Sequence, residues 1–193
     1  MDASSRSDSR AAPRAEPWAL LALGLIGALL IRACVSAHPD VTPIGAVPVF
    51  DAAAATRAGN LRAITALRVL PPAADALQVL QALNGVVIDF SAGSAQVPES
   101  AVAALQQVAQ VMAMRPAAEH YRLGGHSDGR ESPLADLDLS RRQAQAVVDF
   151  LVLQGVSAER LLAYGEGDQK PLTAEPTEEA RFRNRRIEFS MLP

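Results

Sequence analysis

The stretch from Gly124 to Gly155, GGHSDGRESPLADLDLSRRQAQAVVDFLVLQG, joins a glycine-rich loop to a long amphipathic run. Just before it, EHYRLGG (119–125) places Tyr121 and Leu123 on one side at the two-residue period of a strand with one buried face. Beyond the loop, the spacing predicts a helix from about Leu137 to Gln154, with Ala144, Val147 and Leu151 as its apolar seam and Gly155 as its stop. AERLLAYGEG (158–167) then reads as another strand. Gly124 and Gly125 carry no Cβ, so the chain can turn there and bring backbone amides close to a ligand. Asp128 follows at the strand end, where a loop can aim its carboxylate at a cation. A bound ammonium would gain ~1.5–3 kcal/mol from such a charge-assisted hydrogen bond. On these residues alone, closure of an Asx turn accounts for Asp128 equally well.

On either side the same texture continues. VVIDF (86–90) alternates Val86, Ile88 and Phe90 against Val87 and Asp89 and is expected to be the first strand. Pro98 and Glu99 open a helix whose Val102, Leu105, Val108 or Ala109, and Met112 face the core. TEEARFRNRRIEFSM (177–191) gives a short helix and a last strand in which Ile187 and Phe189 alternate with Glu188. The expected order is strand, helix, strand, helix, strand, short helix, strand. That order implies an α+β sandwich with helices over one sheet.

Upstream, DAAAATRAGNLRAITALRVL (51–70) is expected to be helical, with Asp51 as N-cap and Leu61, Ile64 and Leu67 on one side, until Pro71-Pro72 stops it. AADALQVLQALNG (73–85) gives a second short helix with Leu77, Leu80 and Leu83 three apart, ending on Asn84-Gly85. Residues 51–84 therefore form a helical accessory segment ahead of a main domain at 85–193. HPDVTPIGAVP (38–48) carries three prolines within an extended linker at 38–50, able to span roughly 35 Å.

Residues 1–17 are polar and carry three arginines, and WALLALGLIGALLI (18–31) follows without a charge. Extended to residue 37, the apolar run reaches the ~20 residues a bilayer crossing takes if Arg32 snorkels to the interface. An uncleaved anchor in the lipid bilayer comes first, a signal peptide cut after Ala37 second, and lipidation at Cys34 third. All three export the C-terminal part and leave the arginine-bearing tail in the cytoplasm.

A net charge of −3 argues against a protein that coats nucleic acid. The basic block RFRNRR (181–186) is flanked by Glu175, Glu178, Glu179 and Glu188, which cut its field. The single cysteine, Cys34, excludes an internal disulfide, and no Cys/His spacing suits a zinc site or other metal. His126, Ser127 and Asp128 are consecutive at a strand end and point in different directions, so they make no nucleophile-base-orienter relay. YGEGDQKP (164–171) lacks the Gly-Lys-Ser/Thr end of a phosphate-binding loop. Neither an enzyme nor a cofactor is expected.

Four blocks carry a specific resemblance: GGHSDG (124–129), LSRRQAQAVVDFLVLQGV (139–156), RLLAYGEGDQKPL (160–172) and TEEARFRNRRIEF (177–189). In order and spacing they resemble the OmpA-like peptidoglycan-binding domain, found also in peptidoglycan-associated lipoproteins and the flagellar stator protein MotB. The resemblance runs from about Val86 to Ser190 and implies a βαβαβ sandwich that binds the stem peptide of peptidoglycan without catalysis. It gives Asp128 the ammonium of meso-diaminopimelate, with Gly125, His126, Ser127 and Gly129 around it; Ser127 stands where the family has Thr. An Arg on the following helix holds the ligand's carboxylate in that family, in the pattern Leu-Ser-x-x-Arg-Ala. Here Gln143 occupies that position, without the charge or rigid fork of guanidinium. Arg142 is the nearest substitute, although one helical step turns it ~100° away. Asp136 replaces a preferred Asn, adding a carboxylate that favours an ammonium and opposes a carboxylate. Arg181, Asn184 and Arg185 or Arg186 are given the task of fixing the terminal helix and strand beside the loop.

The expectation is an envelope protein whose periplasmic domain ties a membrane to the cell wall, either membrane being possible. The alternatives are an interaction module that binds protein partners and has lost affinity for peptidoglycan through Gln143, and a stator-like partner of an ion channel. The apolar run from Trp18 to Ile31 has no acidic residue of the kind that marks an ion path, which counts against the last.

Overall fold

The computed structural model describes residues 49–192, and the tail, apolar run and most of the linker lie outside them. Among the described residues no helix is long and apolar enough to cross a membrane.

Helix α1 (Ala52–Arg68) starts at Asp51, whose carboxylate accepts from the Ala54 amide at 2.9 Å. Its buried side is Thr56, Gly59, Asn60, Ala63 and Leu67, with Ile64 packed against the core, so of the expected stripe only Leu61 departs, at 68% exposed. The reason lies across the interface. A Cβ at Gly59 would sit 2.6 Å from the Val87 side chain, and Asn60 is turned inward to bond the Val87 backbone. Helix α2 (Ala76–Leu83) opens with a capping box between Asp75 and Gln78. It buries Val79, Ala82 and Leu83, while the expected Leu77 is exposed.

The VVIDF segment keeps the expected alternation of burial but forms no strand. Asn60 accounts for this, since its Oδ1 accepts from Val87 N at 2.8 Å and its Nδ2 donates to Val87 O at 2.9 Å. One side-chain amide thus takes the place of a strand neighbour and satisfies the backbone without a ladder. Helix α3 (Glu99–Met114) follows, with Leu105, Val108 and Met112 fully buried.

Among the described residues the sheet has three strands, not four: β1 (Tyr121–His126), β2 (Leu161–Gly167) and β3 (Arg186–Met191), in the order β2-β1-β3. β1 runs parallel to β2, pairing Tyr121 with Leu161, and antiparallel to β3, pairing Tyr121 with Met191. Helix α4 (Pro133–Leu153) connects β1 to a single 3-10 turn (Ala158–Arg160) and β2. It begins four residues before the expected start because Ser132 caps it, accepting from Ala135 N at 3.3 Å, and Pro133 fits the first turn. Asp136 is thereby drawn from the loop into the helix. The short helix α5 (Glu178–Asn184), capped by Thr177, leads into β3.

Helix α4 lies against β1 and β2 at very close range. A Cβ on Gly125 would run into the Ser140 carbonyl, and one on Gly165 would come within 2.6 Å of the Leu137 carbonyl. Tyr121 and Leu123 from the sheet, Ala144, Val147 and Leu151 from α4, and Leu105 and Met112 from α3 form one core. Leu67, Val79 and Leu83 of the first two helices belong to the same cluster. On the far face of the sheet Leu162 and Tyr164 are exposed, and the Arg122 guanidinium lies 5.1 Å from the Tyr164 ring centre.

Candidate functional site

At the end of β1 the parallel register slips between Gly125 and His126. The chain is tied down there twice: Ser127 N donates to Gly167 O at 2.8 Å, and Gly167 N donates to Ser140 Oγ at 3.1 Å. The loop that emerges borders a groove of about 220 Å³, closed by the segment from Phe90 to Gly93, the first turns of α4, and Arg185 after α5. The groove is lined by His126, Ser127, Asp128, Asp136, Gln143 and Arg185 of the expected set.

Asp128 is the best-fixed of these. Arg185 Nη1 donates to its Oδ2 at 2.8 Å, and Arg130 Nε lies 3.3 Å from the same oxygen. Oδ1 has no partner among the described residues. Arg130 also donates to Glu178 at 2.6 Å, and Arg185 lies 3.6 Å from Asp89. Both arginines are therefore engaged by carboxylates of the protein itself. Arg130, Glu131 and Glu178 belong to the groove although no sequence pattern singled them out; the fold brings the loop and α5 together across 48 residues.

Asp136, on the first turn of α4, is only 2% exposed, and its Oδ2 has no hydrogen-bond partner among the described residues. Ser127 Oγ and His126 Nδ1 are likewise buried and unpaired. His126 Nε2 lies 3.2 Å from a Glu188 carboxylate oxygen. Burial, followed by the charge of Arg186, pushes the His126 pKa below its usual value against the pull of Glu188. The ring is neutral near pH 7. Gln143 sits two turns after Asp136 on the same face of α4, about 10.5 Å further along the axis. Its Nε2 donates to the Ser94 carbonyl at 2.9 Å, which leaves Oε1 without a partner among the described residues.

Three expected residues lie elsewhere. Gly125 is in the central strand beneath α4, and the close approach it permits is with the helix backbone rather than with a ligand. Gly129 supplies a turn at φ 71° and borders a neighbouring hollow of about 440 Å³ on the other side of the loop. Arg142 points away from the groove and donates to Asp138 at 2.9 Å, so it does not replace the missing arginine at 143. Arg142 and Arg141 together hold the exposed Asp138 carboxyl below its usual range. The expected bracing role is shared out: Asn184 holds Leu172 N at 2.8 Å and Thr173 O at 2.9 Å, and Arg186 pairs with Glu188 at 2.9 Å. Among the described residues no group of three His, Cys, Asp or Glu side chains is placed to hold a metal ion.

Comparison with known proteins gives this architecture its family. The OmpA family model matches residues 89–185, from just before the groove to Arg185. The chain belongs to the OmpA family. The match leaves out α1 and α2, although this OmpA-family chain packs both helices into the core it shares with the matched region. It is 30% identical over 118 residues to the peptidoglycan-binding protein ArfA of Mycobacterium tuberculosis, covering 61% of this chain and 36% of that protein. It is also 30% identical over 115 residues to the probable lipoprotein YiaD of Escherichia coli, covering 60% of this chain and 51% of that one. The chain thus spans between a third and a half of the length of these relatives. Among solved structures, the peptidoglycan-associated lipoprotein of Burkholderia pseudomallei superposes with a TM-score of 0.51 at 30% identity, covering 54% of this chain and 88% of that one.

Proposed function

We propose that this OmpA-family protein binds peptidoglycan noncovalently, taking the side-chain ammonium of the diamino acid in the stem peptide on Asp128. One observation carries the reading: a carboxylate held in place by Arg185 and Arg130 through one oxygen keeps its other oxygen open at the edge of a groove. A fixed acceptor costs no reorganisation when a cation arrives, which is what a specific ammonium site needs. The ArfA and lipoprotein likenesses point the same way. In this reading residues 18–37 hold the chain to a membrane, the domain from residue 85 onward faces the wall in the periplasm, and no bond is made or broken.

The test is co-sedimentation of the purified full-length chain with peptidoglycan sacculi, wild type beside Asp128→Ala. Sedimentation of the wild type and its loss in a variant of unchanged circular dichroism is the expected result. Equal sedimentation of the two would remove Asp128 from the site. Absence of sedimentation in both would favour the second reading, a module for protein partners, which the engagement of Gln143 by the Ser94 carbonyl supports.

A further inference from the structure

Among the described residues the groove offers a ligand no uncommitted side-chain cation to receive a carboxylate. Position 143 carries a neutral amide whose nitrogen already donates to Ser94 O. Arg185 and Arg130 are held by Asp128, Asp89 and Glu178, and because both use Asp128 Oδ2, an ammonium arriving at Oδ1 need not displace either. Four acidic side chains line the groove, Asp128, Glu131, Asp136 and Glu178, against these two arginines. Acceptors, by contrast, are in surplus. Asp136 sets a second carboxylate beside the groove on the first turn of α4, with no donor to its Oδ2 among the described residues. Gln143 Oε1, two turns along α4 from Asp136, has none either. A groove with a surplus of carboxylates and an open amide oxygen favours a ligand that brings N–H donors over one that brings a carboxylate.

We infer that the groove takes a diamino acid whose side-chain end carries an ammonium and a primary carboxamide, in preference to one carrying an ammonium and a free carboxylate. The ammonium goes to Asp128 Oδ1, and the carboxamide NH2 donates to Gln143 Oε1. A carboxylate in the same place would face the Asp136 oxygen with no free cation, a like-charge juxtaposition in a partly dry site. A side chain ending in an ammonium alone, as in lysine, would fill Asp128 and leave Gln143 Oε1 unpaired. This specificity rests on the peptidoglycan reading above and refines it to amidated stem peptides.

The experiment is calorimetric titration of the full-length chain with three synthetic stem peptides that differ only at the third residue: meso-diaminopimelate with its side-chain carboxyl amidated, the same residue as the free acid, and lysine. Wild type is expected to bind the amidated peptide at least roughly tenfold more tightly than either of the others. Gln143→Arg restores a guanidinium and is expected to reverse the order of the amidated and free-acid peptides. Asp136→Asn, a milder change, is expected to narrow their difference without abolishing binding. Equal or tighter binding of the free acid by wild type would overturn the inference and mean that Arg185 leaves Asp128 to take the carboxylate. Equal binding of the lysine peptide would overturn it too, since the carboxamide would then go unread. If no peptide binds while Asp128-dependent sedimentation with sacculi persists, this specificity fails and the peptidoglycan reading survives; if sedimentation is also absent, both fail.

Discussion

Arg185 Nη1 donates to Asp128 Oδ2 at 2.8 Å across 57 residues of chain, and Nη2 of the same guanidinium lies 3.6 Å from Asp89 Oδ1. One side chain at the end of α5 therefore ties the loop after β1 to the extended segment that forms the opposite wall of the groove. Replacing it should matter to binding more than to folding. Arg185→Ala is expected to lower stability by only about 1–2 kcal/mol, because the pair is partly solvated. Retention on sacculi should fall much further, since Asp128 Oδ2 would keep only the more distant Arg130. Urea denaturation and co-sedimentation on the same preparation check the two halves.

The two adjacent glycines of β1 should behave very differently. An added methyl on Gly125 meets the Ser140 backbone, which cannot move without shifting α4, whereas on Gly124 it finds the flexible Glu166 side chain at an ordinary 3.6 Å. Gly125→Ala is expected to cost more than about 3 kcal/mol or to prevent folding, and Gly124→Ala about 1 kcal/mol or less. Equilibrium unfolding of both variants distinguishes them.

Asn60 should be worth more than its surface area suggests. Its amide makes bonds of 2.8 and 2.9 Å to Val87 and 2.9 Å to Ser100 O while the residue is 5% exposed. Asn60→Ala leaves three backbone groups short of a partner and is expected to cost about 3 kcal/mol or more. Asn60→Asp, which keeps the acceptor but loses both donor bonds, should be of comparable severity. Thermal unfolding provides the measurement.

Acid should weaken the fold through His126. Its folded pKa is depressed, so the unfolded chain takes up a proton at a pH where the buried ring still refuses one. Its contribution is fully present above the unfolded value of about 6.5 and is lost as pH falls from there through the folded pKa. Urea midpoints between pH 7.5 and 5 should decline in wild type and decline less steeply in His126→Gln.

Period and punctuation made most of the fold legible: the seam of α4 at Ala144, Val147 and Leu151 and the alternation of Ile187 and Phe189 stand as the spacing predicts. Position 128 was legible because the flanking blocks fix its place at a strand end. What periodicity could not reveal was the work of two asparagines. Burial alternates along Val86–Phe90 as it would in a strand, yet pairing is a property of backbone neighbours, and Asn60 supplies that neighbour from a helix. The same polar side chain turns α1 so that Leu61 faces solvent. Leu77 on α2 misled for a simpler reason, since three leucines at equal intervals cover a face too broad for so short a helix to bury. In the groove, Arg130 meets Glu178 and Arg185 meets Asp128 across 48 and 57 residues of chain, and no local signal announces such encounters.

Asn84 repeats the device at the margin of the sheet, where its amide accepts from Phe189 N at 2.7 Å and donates to Phe189 O at 3.0 Å. A strand margin with free amides and carbonyls is a template on which other chains can polymerise. A side-chain amide offers one complementary pair and no continuation, so it occupies the middle of that margin while giving an incoming strand nothing to extend. A single asparagine at the end of a short helix thus blocks strand addition at that point of the sheet.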